Sequence, residues 1–169
     1  MMGDEKTGTE KNLYTAFVGE AKAALRLKGY AEKADKEGYP QMARLFRAIS
    51  AAEEVHALKH LRLLKIVKST EENLQASFES ETSISEDIYP ELIRVAIEEG
   101  NKAAEMSFSH ARDAEEFHGK LYKGAIDQMI RETDTTYHVC LVCGYVVEGE
   151  APDECPICNA PKDRFNRVD

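Results

Sequence analysis

The chain has 169 residues, with 31 acidic and 22 basic side chains and a formal charge of −9. That length suits one medium domain, or a medium domain and a small one, and an acidic balance without a basic run excludes nucleic acid and anionic membrane as main partners. No apolar stretch approaches the ~20 residues of a membrane span, and Met1 to Asn12 is polar, so neither a span nor a signal peptide is expected and the expected location is the cytoplasm.

Composition divides the chain. Up to about Thr133 it is rich in Ala, Leu, Glu, Lys and Arg, whereas Tyr137 to Asp169 holds all four cysteines and three of the five prolines. Two domains are therefore expected, 1–133 and 137–169, joined by a linker near Thr133–Thr136. Within the first, Lys36-Glu37-Gly38-Tyr39-Pro40, Lys68-Ser69-Thr70 and Glu99-Gly100-Asn101 carry the Gly, Pro and Ser/Thr punctuation of helix ends. They leave four helices of about 27 to 31 residues, lengths that suit a bundle.

Each helix has one apolar face at the spacing of three and four residues. The first reads Leu13, Phe17, Glu20, Ala24, Leu27, Ala31, and the second Met42, Phe46, Ile49, Glu53, His56, His60, Leu63, Val67. The third reads Leu74, Phe78, Glu81, Ser85, Ile88, Leu92, Val95, and the fourth Ala104, Phe108, Ala111, Glu115, His118, Tyr122, Ala125, Met129. Every face carries a glutamate near its middle, and the second and fourth add a histidine three residues later. The halves also repeat: Glu37-Gly38, Phe46, Glu53 and His56 recur 62 residues on as Glu99-Gly100, Phe108, Glu115 and His118. Two helix pairs in the same registry imply a pseudo-twofold bundle.

One glutamate on an apolar face ordinarily belongs to a side chain that reaches solvent. Four at one depth repel, cost several kcal/mol each to bury alone, and have no Lys or Arg on these faces to pair with. Two divalent cations would neutralise them, and two imidazoles would complete the coordination. One Glu from each of two helices plus Glu-x-x-His from each of the other two is the dimetal-carboxylate arrangement of ferritin-like bundles. Oxygen and nitrogen donors suit iron, manganese or zinc.

Further along, Cys140-x-x-Cys143 and Cys155-x-x-Cys158 place four thiolates around one metal, either zinc or iron. A structural zinc ribbon has the same spacing. Gly144 and Tyr145 after the second cysteine, Pro156, Lys162 and Phe165 make this module look like rubredoxin and favour iron, with zinc as the substitute in recombinant protein. Pairing with a one-electron centre also favours iron in the bundle.

With both halves read, the chain resembles rubrerythrin over essentially its whole length. The resemblance rests on Phe17-Val-Gly-Glu20-Ala, Ala52-Glu53-Glu54-Val55-His56, Tyr89-Pro90-Glu91 and Ala114-Glu115-Glu116-Phe117-His118, followed by the cysteine module. It implies a ferritin-like four-helix bundle with a rubredoxin-like domain, acting as a non-haem diiron peroxidase. Hydrogen peroxide would be reduced to water, with electrons drawn from reduced pyridine nucleotide through a separate reductase or rubredoxin. Glu53 and Glu115 would bridge two irons, Glu20 and His56 would complete one, Glu81 and His118 the other, and a third iron would sit on Cys140, Cys143, Cys155 and Cys158. Ferroxidase or oxidase chemistry and a non-enzymatic redox or metal-binding role are the alternatives.

Two positions depart from the family pattern. Where rubrerythrins usually carry an exchangeable glutamate three residues after the third-helix ligand, this chain has Ile84, and where they commonly carry a tyrosine on the first helix it has Leu27. A more symmetric site of four glutamates and two histidines is therefore expected. Glu86, five residues from Glu81, faces elsewhere unless a bulge intervenes, and Pro90 inside the helix favours such a distortion. His60 reads as a satisfied core histidine, Tyr89 as a packing or hydrogen-bonding residue, and Glu54 and Glu116 as solvated.

The connection between the second and third helices is also short. Ferritin-like topology makes those helices parallel, about 40 Å long, while about five free residues reach ~18 Å at most. Either two chains exchange helix pairs in a domain-swapped homodimer, or the bundle runs up-down-up-down.

Overall fold

A computed structural model describes residues 7–128 and 135–168. The chain forms two compact units, one ending at Lys68 and the other starting at Ser69. The linker expected at Thr133–Thr136 and the stripe residue Met129 fall wholly or partly outside the described residues.

The first unit is a hairpin of α1 (Gly8–Lys36) and α2 (Pro40–Leu63). Thr7 and Glu10 close a reciprocal capping box on α1: the Thr7 hydroxyl accepts from the Glu10 N–H, and the Glu10 carboxylate accepts from the Thr7 N–H. Small residues let the two helices approach closely. Ala24, Ala31, Ala34, Ala43, Ser50 and Ala57 are all buried, and the Ser50 hydroxyl donates to the Ala24 carbonyl at 2.9 Å. The helix α2 ends at Leu63, four residues before Val67, where Lys65 takes a left-handed conformation (φ 54°).

The second unit opens with α3 (Thr70–Ser83), a π turn (Ile84–Ile88) and α4 (Tyr89–Glu98), followed by α5 (Lys102–Gln128). The π turn supplies the bulge that Pro90 favoured. Proline has no N–H to give to the Glu86 carbonyl, and its ring would press on that carbonyl in a regular helix. The chain widens instead, and the Tyr89 N–H bonds back five residues to the Ile84 carbonyl. The buried Ser85 hydroxyl donates to the carbonyls of Glu81 and Thr82 beside it.

The Glu-Gly repeat is one helix-ending device used twice. At the end of α1 the Gly38 N–H reaches the Asp35 carbonyl and the Tyr39 N–H the Ala34 carbonyl; at the end of α4 Gly100 and Asn101 do the same to Ile97 and Ala96. Both glycines hold a positive φ, 80° and 67°. A Cβ at either would meet nothing within 4 Å, so only the backbone dihedral penalises a side chain there. Gly38→Ala and Gly100→Ala should each cost about 1–2 kcal/mol, read as a lower urea midpoint at unchanged slope.

After α5 come three antiparallel strands, β1 (Tyr137–Cys140), β2 (Val146–Glu148) and β3 (Phe165–Val168), in the order β2-β1-β3. Among the described residues no helix is long and apolar enough to cross a membrane.

Candidate metal centres

Two matching tight turns bring the cysteines together. The Cys140 N–H bonds the Tyr145 carbonyl and the Gly144 N–H the Cys140 carbonyl; at the other turn the same pattern links Cys155 with Ala160 and Asn159 with Cys155. Gly144 (φ 83°) and Asn159 (φ 58°) supply the left-handed residue each turn needs. The Sγ atoms of Cys140 and Cys158 lie 3.7 Å apart, and those of Cys143 and Cys155 3.6 Å apart. A tetrahedron of sulfurs at ~2.3 Å from a metal has edges of about 3.8 Å, so the donor set fits a zinc- or iron-type tetrathiolate site. Burial pushes the Cys143 and Cys158 thiols up. Burial also works against Cys140, but the N–H groups of Cys143 and Val142 outweigh it and hold that thiol down. Four thiolates in one such nest call for a cation.

The six carboxylate and imidazole residues expected as ligands gather as two groups of three that could each hold a metal ion, one in each unit: Glu20, Glu53 and His56, and Glu81, Glu115 and His118. Within each group donor atoms lie within 4.8 Å of one another. His56 Nδ1 is 3.1 Å from Glu53 Oε2, and His118 Nδ1 is 2.9 Å from Glu115 Oε2. The i,i+3 spacing places both side chains of each pair on one helix face. None of the four carboxylates has a Lys or Arg partner among the described residues. These are diiron-type carboxylate and histidine groups, complementing the tetrathiolate site.

Electrostatics in the second group show what a cation would relieve. Burial pushes the Glu81 carboxyl up to about 7, helped by its hydrogen bond to Glu115 and by the Glu115 charge, while His118 opposes the rise. Without metal, the Glu81 carboxyl therefore takes up a proton near neutrality. A carboxyl whose folded value exceeds its unfolded one contributes stability that is complete below the unfolded value and lost as the pH rises through the folded one. Chelator-treated protein should accordingly lose urea stability between pH 4.5 and 7, and a divalent cation added at pH 7 should restore it. A metal-free midpoint flat across that window would contradict this electrostatic picture.

His118 has a second partner that no sequence motif announces: its Nε2 lies 2.9 Å from the carbonyl oxygen of Gly144, in the first cysteine turn. The carbonyl can only accept, so it fixes the hydrogen on Nε2 and leaves the Nδ1 lone pair for a metal. Phe117, the residue before, packs edge-on against Tyr145 with ring centroids 4.9 Å apart. The only sequence signal was the aromatic pair itself.

Tyr89 directly follows the π turn and lies close enough to Glu115 and Glu81 to feel their charges. Burial, then the charges of Glu115 and Glu81, push its phenol up, and its ring lies 6.4 Å from Phe108. Ile84 opens the π turn and brings no donor atom. Glu86 is exposed and joins neither group, although with Thr82, Ser85 and Gly119 it lines a groove of about 360 Å³ that reaches Glu115. His60 is not the satisfied core histidine expected: its Nδ1 is buried without a hydrogen-bond partner among the described residues. Glu54 and Glu116 pair with Lys28 and Lys120 at the surface, as solvated residues should.

Comparison with known proteins agrees with this geometry. The rubrerythrin family model matches residues 11–126, and that of the rubrerythrin rubredoxin-like domain matches residues 138–166. Nigerythrin from Nitratidesulfovibrio vulgaris is 35% identical over 98% of this chain and 90% of its own length. Rubrerythrin-2 from Clostridium acetobutylicum is 32% identical over 90% of this chain and 92% of its own. A solved structure of nigerythrin in a partially reduced state superposes with a TM-score of 0.59 at 35% identity, covering 99% of this chain and 92% of that one.

Proposed function

The chain belongs to the rubrerythrin family, and from that premise we propose that it is a cytoplasmic, homodimeric hydrogen peroxide reductase. Electrons would come from a separate pyridine-nucleotide-dependent reductase or rubredoxin. When bound, the iron pair supplies the two electrons that convert hydrogen peroxide and two protons into two waters, and the tetrathiolate iron replaces them one at a time.

The observation that carries this reading is the hydrogen bond from His118 Nε2 to the Gly144 carbonyl. Gly144 follows Cys143 directly, so a single peptide unit and one hydrogen bond connect a cysteine ligand of one site with an imidazole ligand of the other. An isolated structural zinc ribbon has no use for such a link. In this reading the two Glu-x-x-His helices would supply Glu53 with His56 and Glu115 with His118, and Glu20 and Glu81 would complete the set that holds the two ions. Four carboxylates cancel the charge of two divalent ions, and Ile84 leaves six side chains as the complete set. His56 then has no carboxylate to exchange with. Tyr89 presents a phenol on the face of Glu81 and Glu115, where it can donate to a carboxylate oxygen. Cysteines held as thiolates suit a reducing compartment.

Anaerobically purified protein should contain iron in both kinds of site. After full reduction, stopped-flow mixing should show reoxidation by peroxide outpacing reoxidation by oxygen. Equal rates would overturn the peroxidase reading in favour of an oxidase or ferroxidase, the second reading, which Ile84 and Leu27 favour. Zinc throughout would leave a binding protein without redox chemistry.

A further inference from the structure

We infer that Phe117 of α5 is part of the tetrathiolate site: it completes the apolar shell over the sulfurs and so sets how readily an iron held there is reduced. This holds whatever the iron is for; only its consequence for turnover rests on the reading above.

The cysteine module is too small to wrap its own metal site. The span Tyr137–Asp169 falls below the ~40 residues under which a chain rarely buries a sufficient core unaided. The buried cluster at its centre is Cys140, Tyr145, Cys155 and Ala160, and two of these are metal ligands. Leu141 and Val142, between the first two cysteines, are 63% and 54% exposed, so that loop leaves its largest apolar side chains in solvent. Among the described residues, Phe117 is the one hydrophobic side chain from outside the module that packs against the cluster.

A matched pair of contacts seats it there. Consecutive residues of α5 meet consecutive residues of the first cysteine turn. The Phe117 ring lies 4.9 Å from that of Tyr145 at an interplanar angle of 84°, and His118 Nε2 lies 2.9 Å from the Gly144 carbonyl oxygen. Phe165 makes a second edge contact with Tyr145, at 6.4 Å and 89°, so three aromatic rings interlock in the arrangement their quadrupoles favour. The exposed Lys120 ammonium lies over the Phe117 ring, 4.7 Å from its centroid, and is itself held by Glu116 at 2.7 Å.

Excluding water matters here because of charge. Ferric iron with four thiolates carries one net negative charge, and uptake of one electron without a proton makes it two. The ferrous form therefore gains more from nearby water, and a shell that keeps water off the sulfurs holds the potential down. A centre at lower potential passes its electron on more readily. Phe117 thus ties the donor strength of the relay to the docking of the module on α5. A chain with every ligand intact but without this ring should relay poorly.

The test is a redox titration of full-length, iron-loaded protein, followed through the visible absorbance of the oxidised tetrathiolate. It uses neither peroxide nor reductase, so failure of the peroxidase reading and failure of this inference are distinguishable. Phe117→Ala should raise the ferrous-to-ferric ratio at a fixed solution potential about tenfold or more, an upward shift of about 59 mV for each tenfold with one electron. Phe117→Leu and Phe117→Gln fill similar space and differ in polarity, so the Leu variant should keep most of the wild-type ratio and the Gln variant should not. Lys120→Gln removes the ammonium and keeps the ring, and should stay within about twofold of wild type because an exposed charge is screened. An unchanged ratio in Phe117→Ala, or equal ratios in the Leu and Gln variants, overturns the inference. A shift in Lys120→Gln as large as that in Phe117→Ala overturns it too, by assigning the effect to charge instead of cover. If Phe117→Ala does not retain iron, the comparison of Leu with Gln decides alone.

Discussion

Cys143→Ser is expected to stop turnover driven by reduced pyridine nucleotide while sparing a single turnover of the pre-reduced iron pair. Serine keeps the shape of the turn but not the thiolate, and three sulfurs are left where four lay with edges of 3.6–3.7 Å. The Gly144 N–H still has the Cys140 carbonyl at 2.9 Å to hold it, so the Gly144 carbonyl should remain in place for His118. The variant therefore removes the electron relay and leaves the imidazole orientation alone. The drop in coupled turnover should exceed the ~100-fold that loss of an outer partner costs a metal site, because the relay itself is gone. Steady-state assays with reductase and stopped-flow mixing of chemically reduced protein with peroxide separate the two quantities. Loss of both, with iron missing from the bundle, would show that the cysteine module is needed to form the iron pair and that its role is structural.

What was legible in the sequence had local causes. Gly38 and Gly100 end helices through their own dihedrals, Thr7 and Glu10 start one through their own side chains, and the cysteine spacing is a nearest-neighbour property. The ligand groups were legible because a carboxylate on an apolar face is costly wherever it sits. What escaped depended on competition or on the backbone. The end of α2 at Leu63 was hidden because Leu64, Ile66 and Val67 continue the apolar pattern past the left-handed Lys65. The π turn was foreshadowed by Pro90, but where the chain widened was settled by which carbonyls could still be satisfied, with Ser85 donating to two of them. The Gly144 carbonyl is the clearest case. Every residue has that group, so nothing in the letters marks the one that binds His118.

The second large effect is expected at Glu115, where one substitution should move stability and metal binding in opposite directions. In the metal-free chain Glu115 is the neighbour that, after burial, does most to hold Glu81 at about 7. Glu115→Gln keeps the volume and removes the charge, so Glu81 should titrate closer to its ordinary range and the metal-free protein should gain urea stability at pH 7. The same change removes a carboxylate that both ions would share and detaches the partner 2.9 Å from His118 Nδ1. Metal affinity should fall by more than the ~10–100-fold that accompanies loss of a supporting residue, and peroxide turnover should fall with it. At Glu54, which only pairs with Lys28 at the surface, the matching Glu54→Gln change should do neither, since exposed ion pairs contribute about 1 kcal/mol or less. Iron content and chelated-state urea melts at pH 7 read the two effects separately. A Glu115→Gln protein that keeps its iron pair would remove Glu115 from the ligand set. One that loses stability when metal-free would show that the two carboxyls do not oppose each other, and with that the need for a cation to reconcile them would disappear.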